Sequence, residues 1–400
     1  MSKIVFKYSY HFVFFLVLYE FSVYISNDMI MPAMIFVIQD FKVNENYIPS
    51  ALSLYIFGGS CLQLFVGAFA EIYGKKKLLL CGIMFFIIGT AINGLALNIE
   101  QFLCARVIQG MGIAFISAIG YATIQETFAE KEAVKIISIM TSLSILAPLF
   151  GPIFGSIFLD FFHWRYINLI IMILAFISFI GLFFTFPHDK KETVHKNLFT
   201  HASKTYFKII KRKNYLYGVL AFTFAQLPLI LWISISPILL ITNAKLPLIE
   251  YGLLQFPVFG GFIIGVVLLQ FLLKKYELHK IIKISALILT LGLSSSFFFS
   301  LLYPNSYLGI VYSLAFYAVG LGALSSPLFR LVLFISSDAK TSMTALFSFI
   351  NMIILSFGIE ILSSYIKNIL IFSAALFIFQ LIFLINLKLF IKTLNNFKQQ

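Results

Sequence analysis

Charge is scarce in this chain: Asp, Glu, Lys and Arg make up 11% of its 400 residues, against about one quarter in a soluble domain. That scarcity excludes an ordinary water-facing surface. Alternation of polar and apolar residues over about ten positions is also missing, as in "LLLCGIMFFIIGTAINGLAL" (78–97), which excludes a transmembrane β-barrel. The chain has only three cysteines, Cys61, Cys81 and Cys104. Their odd number and irregular spacing fit neither a disulfide framework nor a metal motif. The histidines lie mainly in loops and form no ligand cluster with them, so no metal is expected. A Gly-rich phosphate loop ending in Gly-Lys-Ser/Thr is absent, which argues against ATP-driven work. There is no nucleophile elbow, and no enzyme is expected. No small-x-small cleavage site follows the first apolar run, which reaches from about His11 to Ile38. A signal h-region is shorter, about 7–15 residues, so the run is expected to stay in the membrane.

Apolar residues, by contrast, make up 60% of the chain. They fall in blocks of about 20 residues, the length that spans a hydrocarbon core of about 30 Å. Because lipid satisfies no exposed backbone, these blocks read as helices. Twelve spans are expected, at about 11–38, 48–70, 77–97, 100–126, 134–159, 165–186, 214–242, 249–273, 281–302, 306–330, 342–366 and 369–391. The longest polar stretch, "PHDKKETVHKNLFTHASKTYFKIIKRKN" (187–214), holds eight of the 29 Lys and Arg residues. The expected fold is therefore an all-α polytopic membrane protein of two six-helix bundles, 1–186 and 214–400, joined by a basic linker, 187–213.

Lysine and arginine excess marks the cytoplasmic side. With these spans, 24 basic residues fall inside, four outside (Lys42, Arg165, Lys245 and Lys367) and one, Arg106, within a span. Both termini are expected in the cytoplasm. The net charge of +13 then reads as positive-inside bias plus attraction to anionic lipid, and no nucleic-acid partner is expected. Six spans, a loop and six spans suggest a duplicated transporter with its substrate between the halves. No strong residue-level repeat supports the duplication.

Polar residues inside spans are costly, about 2.5–3.5 kcal/mol for a central charge on insertion scales, so each one asks for a reason. The first span, "LVLYEFSVYISNDMI" (16–30), holds Glu20, Tyr24, Asn27 and Asp28. At 100° per residue these fall within an arc of about 100°, one polar stripe on an apolar helix. Glu20 and Asp28 are about 12 Å apart along the axis, two sites at two depths rather than a dyad. In "LCARVIQGMG" (103–112), Arg106 and Gln109 share a face, Gly110 permits a close helix approach, and Arg106 matches the depth of Asp28. In "SILAPLFGPIFG" (144–155), Pro148, Gly151, Pro152 and Gly155 bend a spanning helix and offer a close-packed face. In "GAFAEIYGKKK" (67–77), Gly67 and Gly74 allow a tight turn and a close approach, and Glu71 lies near Lys75, Lys76 and Lys77. The competing reading of each stretch is structural: a packing kink, a buried anchor or a plain positive loop. Gln125, Glu126, Asn351 and Glu360 are further polar residues near or within spans, each as easily interfacial as functional.

These stretches resemble the major facilitator superfamily. The 67–77 segment resembles its Gly-x-x-x-Asp-x-x-Gly-Arg-Arg/Lys loop, with Glu71 for Asp and lysines for arginines. Residues 106–110 resemble Arg-x-x-Gln-Gly, and 147–155 resemble the antiporter motif Ala-Pro-x-x-Gly-Pro-x-x-Gly. Together with "NIEQFLCARVIQG" (98–110), "GYATIQETF" (120–128), "YGLLQFPVFG" (251–260) and "GIEI" (358–361), the chain closely resembles the twelve-helix drug/proton antiporters of that superfamily. The resemblance implies export of lipophilic drugs against protons, driven by the proton gradient without a cofactor, by a monomer in the bacterial inner membrane. It implies proton coupling and cation recognition at Glu20 and Asp28, with Arg106 supporting the switch. Tyr24, Asn27, Gln109, Tyr121, Trp232 and Pro237 are the candidate substrate contacts, and Gly67, Glu71, Gly74, Lys75, Lys76, Gly110, Pro148, Gly151, Pro152 and Gly155 the candidate gating residues. A metabolite or Na⁺/K⁺ exporter, or a receptor or channel, are the competing readings.

Overall fold

A computed structural model describes residues 2–187, 198–304, 306–333, 340–366 and 368–398. Residues 188–197 of the expected linker and the outer-side Lys367 lie outside the described residues, while much of the rest of the linker is helical, Leu198–Ile210. The chain divides into two compact units, Met1–Ala202 and Ser203–Gln400.

In the first unit the helices are α1 (Ser2–Asp40), α2 (Tyr47–Gln63), α3 (Val66–Tyr73), α4 (Lys75–Leu95), α5 (Ile99–Phe115), α6 (Tyr121–Thr127), α7 (Glu130–Phe161) and α8 (Arg165–Thr185). α2 and α3 meet at a 50° bend and read as one broken span. α5 runs into α6 through a widened π turn, Ile116–Gly120. α9 (Leu198–Ile210) lies at the boundary of the units. The second unit continues with α10 (Lys213–Pro237), α11 (Leu248–Leu253), α12 (Gln255–Leu273), α13 (Leu278–Leu302), α14 (Tyr307–Leu333), α15 (Lys340–Ser363) and α16 (Ile369–Lys398), with a π turn, Ile238–Asn243, after α10.

Among the described residues ten helices are long and apolar enough to cross a membrane, and the bent α2–α3 pair makes an eleventh. α7 is a 32-residue helix, but its described apolar run covers only Leu146–Phe161. Many large apolar side chains point outward, Leu95 and Phe184 among them, as a protein dissolved in lipid requires.

The two units share one packing scheme. α1 packs on α7 and α8, α2 on α5, and α4 on α5 and α8; in the same order α10 packs on α15 and α16, α12 on α14, and α13 on α14 and α16. The tightest contacts repeat as well. A Cβ at Gly110 would meet the Tyr55 carbonyl oxygen at 1.9 Å, and one at Gly322 would meet that of Phe262 at 2.2 Å. Both are distances only glycine tolerates. The repeat hidden in the sequence is thus visible in backbone contact, where hydrogen at Cα is what counts and the surrounding apolar side chains are interchangeable.

Candidate functional site

α1 carries the polar stripe as expected. Glu20 is fully buried and Asp28 is 4% exposed, while Tyr24 and Asn27 are half-buried. The helix runs unbroken through them because Pro32 is its only proline.

Arg106, on α5, is 1% exposed. Its guanidinium donates from Nε to the Ala51 carbonyl at 2.9 Å, from Nη1 to Gln109 Oε1 at 2.6 Å and from Nη2 to Asn27 Oδ1 at 2.7 Å. Its plane lies 4.3 Å over the Tyr55 ring, a cation–π contact in a dry setting. Every one of these partners is neutral. No ion pair within 4.0 Å joins Arg106 to Asp28 among the described residues. The expected partner of the arginine is therefore replaced by the residue next to it in sequence, Asn27.

Gln109 extends the network. Its Nε2 donates to Thr90 Oγ1 at 2.9 Å, and its Oε1 accepts from Asn93 Nδ2 at 3.0 Å. The Tyr55 hydroxyl donates to the Val23 carbonyl at 2.8 Å, tying α2 back to the stripe helix. Sequence reasoning missed Tyr55, Thr90 and Asn93. Each lies in a span as an isolated polar side chain among apolar neighbours, and only the fold shows that they converge.

Glu20 sits apart from the arginine. The Tyr121 hydroxyl donates to its Oε1 at 2.6 Å, and its Oε2 has no hydrogen-bond partner among the described residues. Tyr121 starts α6 just after the π turn, so the widened turn sets where its hydroxyl falls. Neither Glu20 nor Asp28 has an ion-pair partner among the described residues.

The small residues of α7 press on this part of α1. A Cβ at Gly151 would meet Asp28 Cβ at 2.4 Å, and one at Gly155 would meet the Met29 carbonyl oxygen at 2.7 Å. Pro152 is buried beside them, and Pro148 is half-buried one turn earlier. The 147–155 motif therefore lies directly against the acid at Asp28.

The 67–77 segment differs from expectation in two ways. Gly74 does make the turn, at φ 89°, but Gly67 is exposed and a Cβ there would meet nothing within 4 Å. It makes no close helix approach. Lys75 pairs with Glu126 on α6, not with Glu71; its Nζ lies 2.6 Å from each Glu126 carboxylate oxygen. Glu71 is exposed at the end of α3, and Lys76 lies 5.1 Å from the Phe183 ring centroid. The segment reads as a loop until the fold brings the end of α6 beside the start of α4.

In the second unit, Trp232 is 1% exposed and donates from Nε1 to Gln255 Oε1 at 2.8 Å. Pro237 is buried at the end of α10, where the π turn begins. Asn351 accepts from Thr223 at 2.9 Å and donates to Gln226 Oε1 at 3.1 Å. Glu360 and Gln125 are exposed. The Tyr317 hydroxyl donates to the Ala225 carbonyl at 2.7 Å and accepts from the Leu229 amide at 3.2 Å. It thus sits inside the hydrogen-bond ladder of α10 at Pro228, where proline disrupts the backbone pairing. Among the described residues no group of His, Cys, Asp and Glu could hold a metal ion.

The chain matches the pattern of the Major Facilitator Superfamily over residues 16–359. The multidrug transporter MdfA of Yersinia pestis bv. Antiqua (strain Angola) is 35% identical to it over 346 residues, covering 86% of this chain and 85% of that one. The multidrug transporter MdfA of Escherichia coli O157:H7 is also 35% identical over 346 residues, covering 86% of this chain and 84% of its own. A solved bacterial homologue of the human lysosomal transporter Spinster, inward-facing and occupied, matches with a TM-score of 0.74 at 14% identity, over 96% of this chain and 98% of that one. The xylose transporter XylE from E. coli matches with a TM-score of 0.67 at 17% identity, over 94% and 96%. At these identities the likeness to the solved structures is one of fold.

Proposed function

The chain belongs to the major facilitator superfamily, and from that premise we propose that it is a secondary active exporter of lipophilic drugs, cationic and neutral, driven by exchange with protons. It is a transporter and not an enzyme, a multi-pass protein of the bacterial inner membrane, working as a monomer with the proton gradient and no cofactor as its source of energy. Its partners are small lipophilic substrates, protons and lipid.

One observation carries this reading: among the described residues the two buried carboxylates on α1 have no ion-pair partner within 4.0 Å, while the buried Arg106 is already satisfied by neutral acceptors. A buried charge without a counter-charge is costly. Each carboxylate is therefore neutralised by a proton or by a cation, and the two occupants compete. A cationic drug displaces the proton from Glu20, and a neutral drug needs Asp28 alone to cycle. A ligand shifts a two-state equilibrium only by its differential affinity for the two states. Here Asp28 supplies the difference, because α7 packs on it through Gly151 and registers its charge. Arg106 holds α5, α2 and α1 together around Asn27 while that charge changes.

Tyr24, Asn27, Gln109 and Tyr121 are the substrate contacts of the first unit in this reading, and Trp232 and Pro237 those of the second. Glu71, Gly74, Lys75 and Lys76 at one end, and Gly110, Pro148, Gly151, Pro152 and Gly155 within the bundle, serve the change between inward and outward access; Gly67, with open space around it, does not. Cells that overproduce the chain are expected to expel a fluorescent lipophilic cation, and a protonophore is expected to stop them. Efflux that survives the protonophore contradicts the reading. Proton release triggered by Na⁺ or K⁺, with none triggered by any drug, points instead to an ion exporter using the same acids.

A further inference from the structure

Arg165 opens α8 at the end that the lysine distribution places outside, where only four basic residues fall. Its Nη2 donates to the Ala96 carbonyl at 2.9 Å, and its guanidinium lies 4.4 Å from the Trp164 ring centroid. Its Nη1 is buried and has no hydrogen-bond partner among the described residues. Asn168, one turn further along α8 and 4% exposed, is in the same position at Nδ2. An unmet buried donor costs about 1–3 kcal/mol, and here two belong to one wall.

Both side chains line a groove of about 410 Å³ between α4 and α8. Ala91, Gly94, Leu95, Tyr166, Leu169 and Met172 supply most of the remaining wall, so it is almost wholly apolar. Its rim opens away from the bundle: Leu95 is 77% exposed, Tyr166 52% and Leu169 44%. In a protein that spans a bilayer, such a rim faces acyl chains. Asp40, which contacts the neighbouring Trp164 and His163, is already taken up by Trp164 Nε1 at 2.7 Å and His163 Nε2 at 3.0 Å.

We propose that this groove is a phospholipid site. One acyl chain lies along Ala91, Gly94, Leu169 and Met172, and the phosphodiester oxygens accept from Arg165 and Asn168. A planar guanidinium suits a phosphate, and the positive end of the α8 dipole adds to the attraction. The exposed Tyr166 suits an interfacial level, where such aromatics collect. A free anion would leave the apolar wall unfilled, and an acyl chain alone would leave both donors unmet; a phospholipid answers both. Thr90 also lines the groove and accepts from Gln109, so the lipid sits one hydrogen bond from the Arg106 network.

The test is native mass spectrometry on the full chain, purified in mild detergent and supplied with phosphatidylglycerol, phosphatidylcholine or inorganic phosphate. The wild type is expected to retain one phospholipid of either headgroup, since the shared phosphodiester is what is bound. Arg165→Gln with Asn168→Leu should lower retention by roughly tenfold or more, about 1.4 kcal/mol per tenfold. Ala91→Phe fills the groove without touching the donors and should also expel the lipid. If the double variant does not fold, Ala91→Phe decides alone. Retention unchanged in the folded variants overturns the proposal, and so does displacement of the lipid by inorganic phosphate, which would mark a site for a free anion.

Discussion

At Arg106 a guanidinium with five N–H donors sits among a carbonyl, two side-chain amides and an aromatic ring, with no carboxylate within 4.0 Å among the described residues. Each bond to the charged group is worth about 1.5–3 kcal/mol, and each acceptor left without a donor costs about 1–3 kcal/mol. Lysine keeps the charge but has no fork to reach three separated acceptors. Arg106→Lys is thus expected to reach the membrane in a destabilised form, losing a few kcal/mol, and to lose substrate-driven proton release; near-normal exchange by this variant in a vesicle assay would show that charge alone suffices. Glu20 predicts a different outcome, since one carboxylate oxygen takes the Tyr121 hydroxyl and the other has no hydrogen-bond partner among the described residues. Glu20→Gln keeps the shape and removes the ionisable group, so export of a lipophilic cation should fall at least tenfold while export of a neutral drug such as chloramphenicol falls much less. Drug-susceptibility ratios of cells expressing the two forms measure this directly. The stripe of Glu20, Tyr24, Asn27 and Asp28 was legible because helical periodicity alone puts it on one face. The choice of Asn27 over Asp28 as the arginine's partner was not, because the two are adjacent and only side-chain geometry separates them.

Among the elements, α7 presses on α1 at glycines, while the 67–77 segment holds a glycine with no neighbour. These contrast cleanly. A methyl group at Gly151 would fall 2.4 Å from Asp28 Cβ, so Gly151→Ala must push α7 off α1 and is expected to abolish transport, with destabilisation of about 1–3 kcal/mol as for overpacking. At Gly67 the same methyl group meets open space, and alanine is the better helix former by about 1 kcal/mol; Gly67→Ala should transport normally and melt no lower than wild type. Thermal unfolding in detergent, read beside transport, checks both, and equal behaviour of the two variants would refute the packing argument. The long apolar blocks made the helices legible. The 50° bend between α2 and α3 and the π turns at Ile116–Gly120 and Ile238–Asn243 were not, because nothing in apolar periodicity distinguishes a widened turn from a regular one. The pairing of Lys75 with Glu126 also escaped sequence reasoning. Glu71 lies only four residues from Lys75, and the true partner is 51 positions away.

The whole molecule repeats one packing scheme in two units, with close glycine contacts at Gly110 and Gly322 in matching places. Such a scheme depends on helix order and on close approach at glycine, which different apolar side chains can serve, and so the sequence shows the layout without a residue-level repeat. Positive-inside bias predicts the placement of the ends: a fluorescent protein fused after Gln400 should fluoresce and an alkaline phosphatase there should stay inactive, whereas an active phosphatase would invert the orientation. The central claim, that a proton and a drug exchange at the α1 acids, is tested most directly in inverted membrane vesicles. Luminal and external pH are followed while a lipophilic cation is added, with wild type beside the Glu20→Gln, Asp28→Asn double variant at equal expression. The account predicts prompt substrate-triggered proton release by the wild type and none by the variant. Equal release by both would place the exchange elsewhere in the molecule and contradict it.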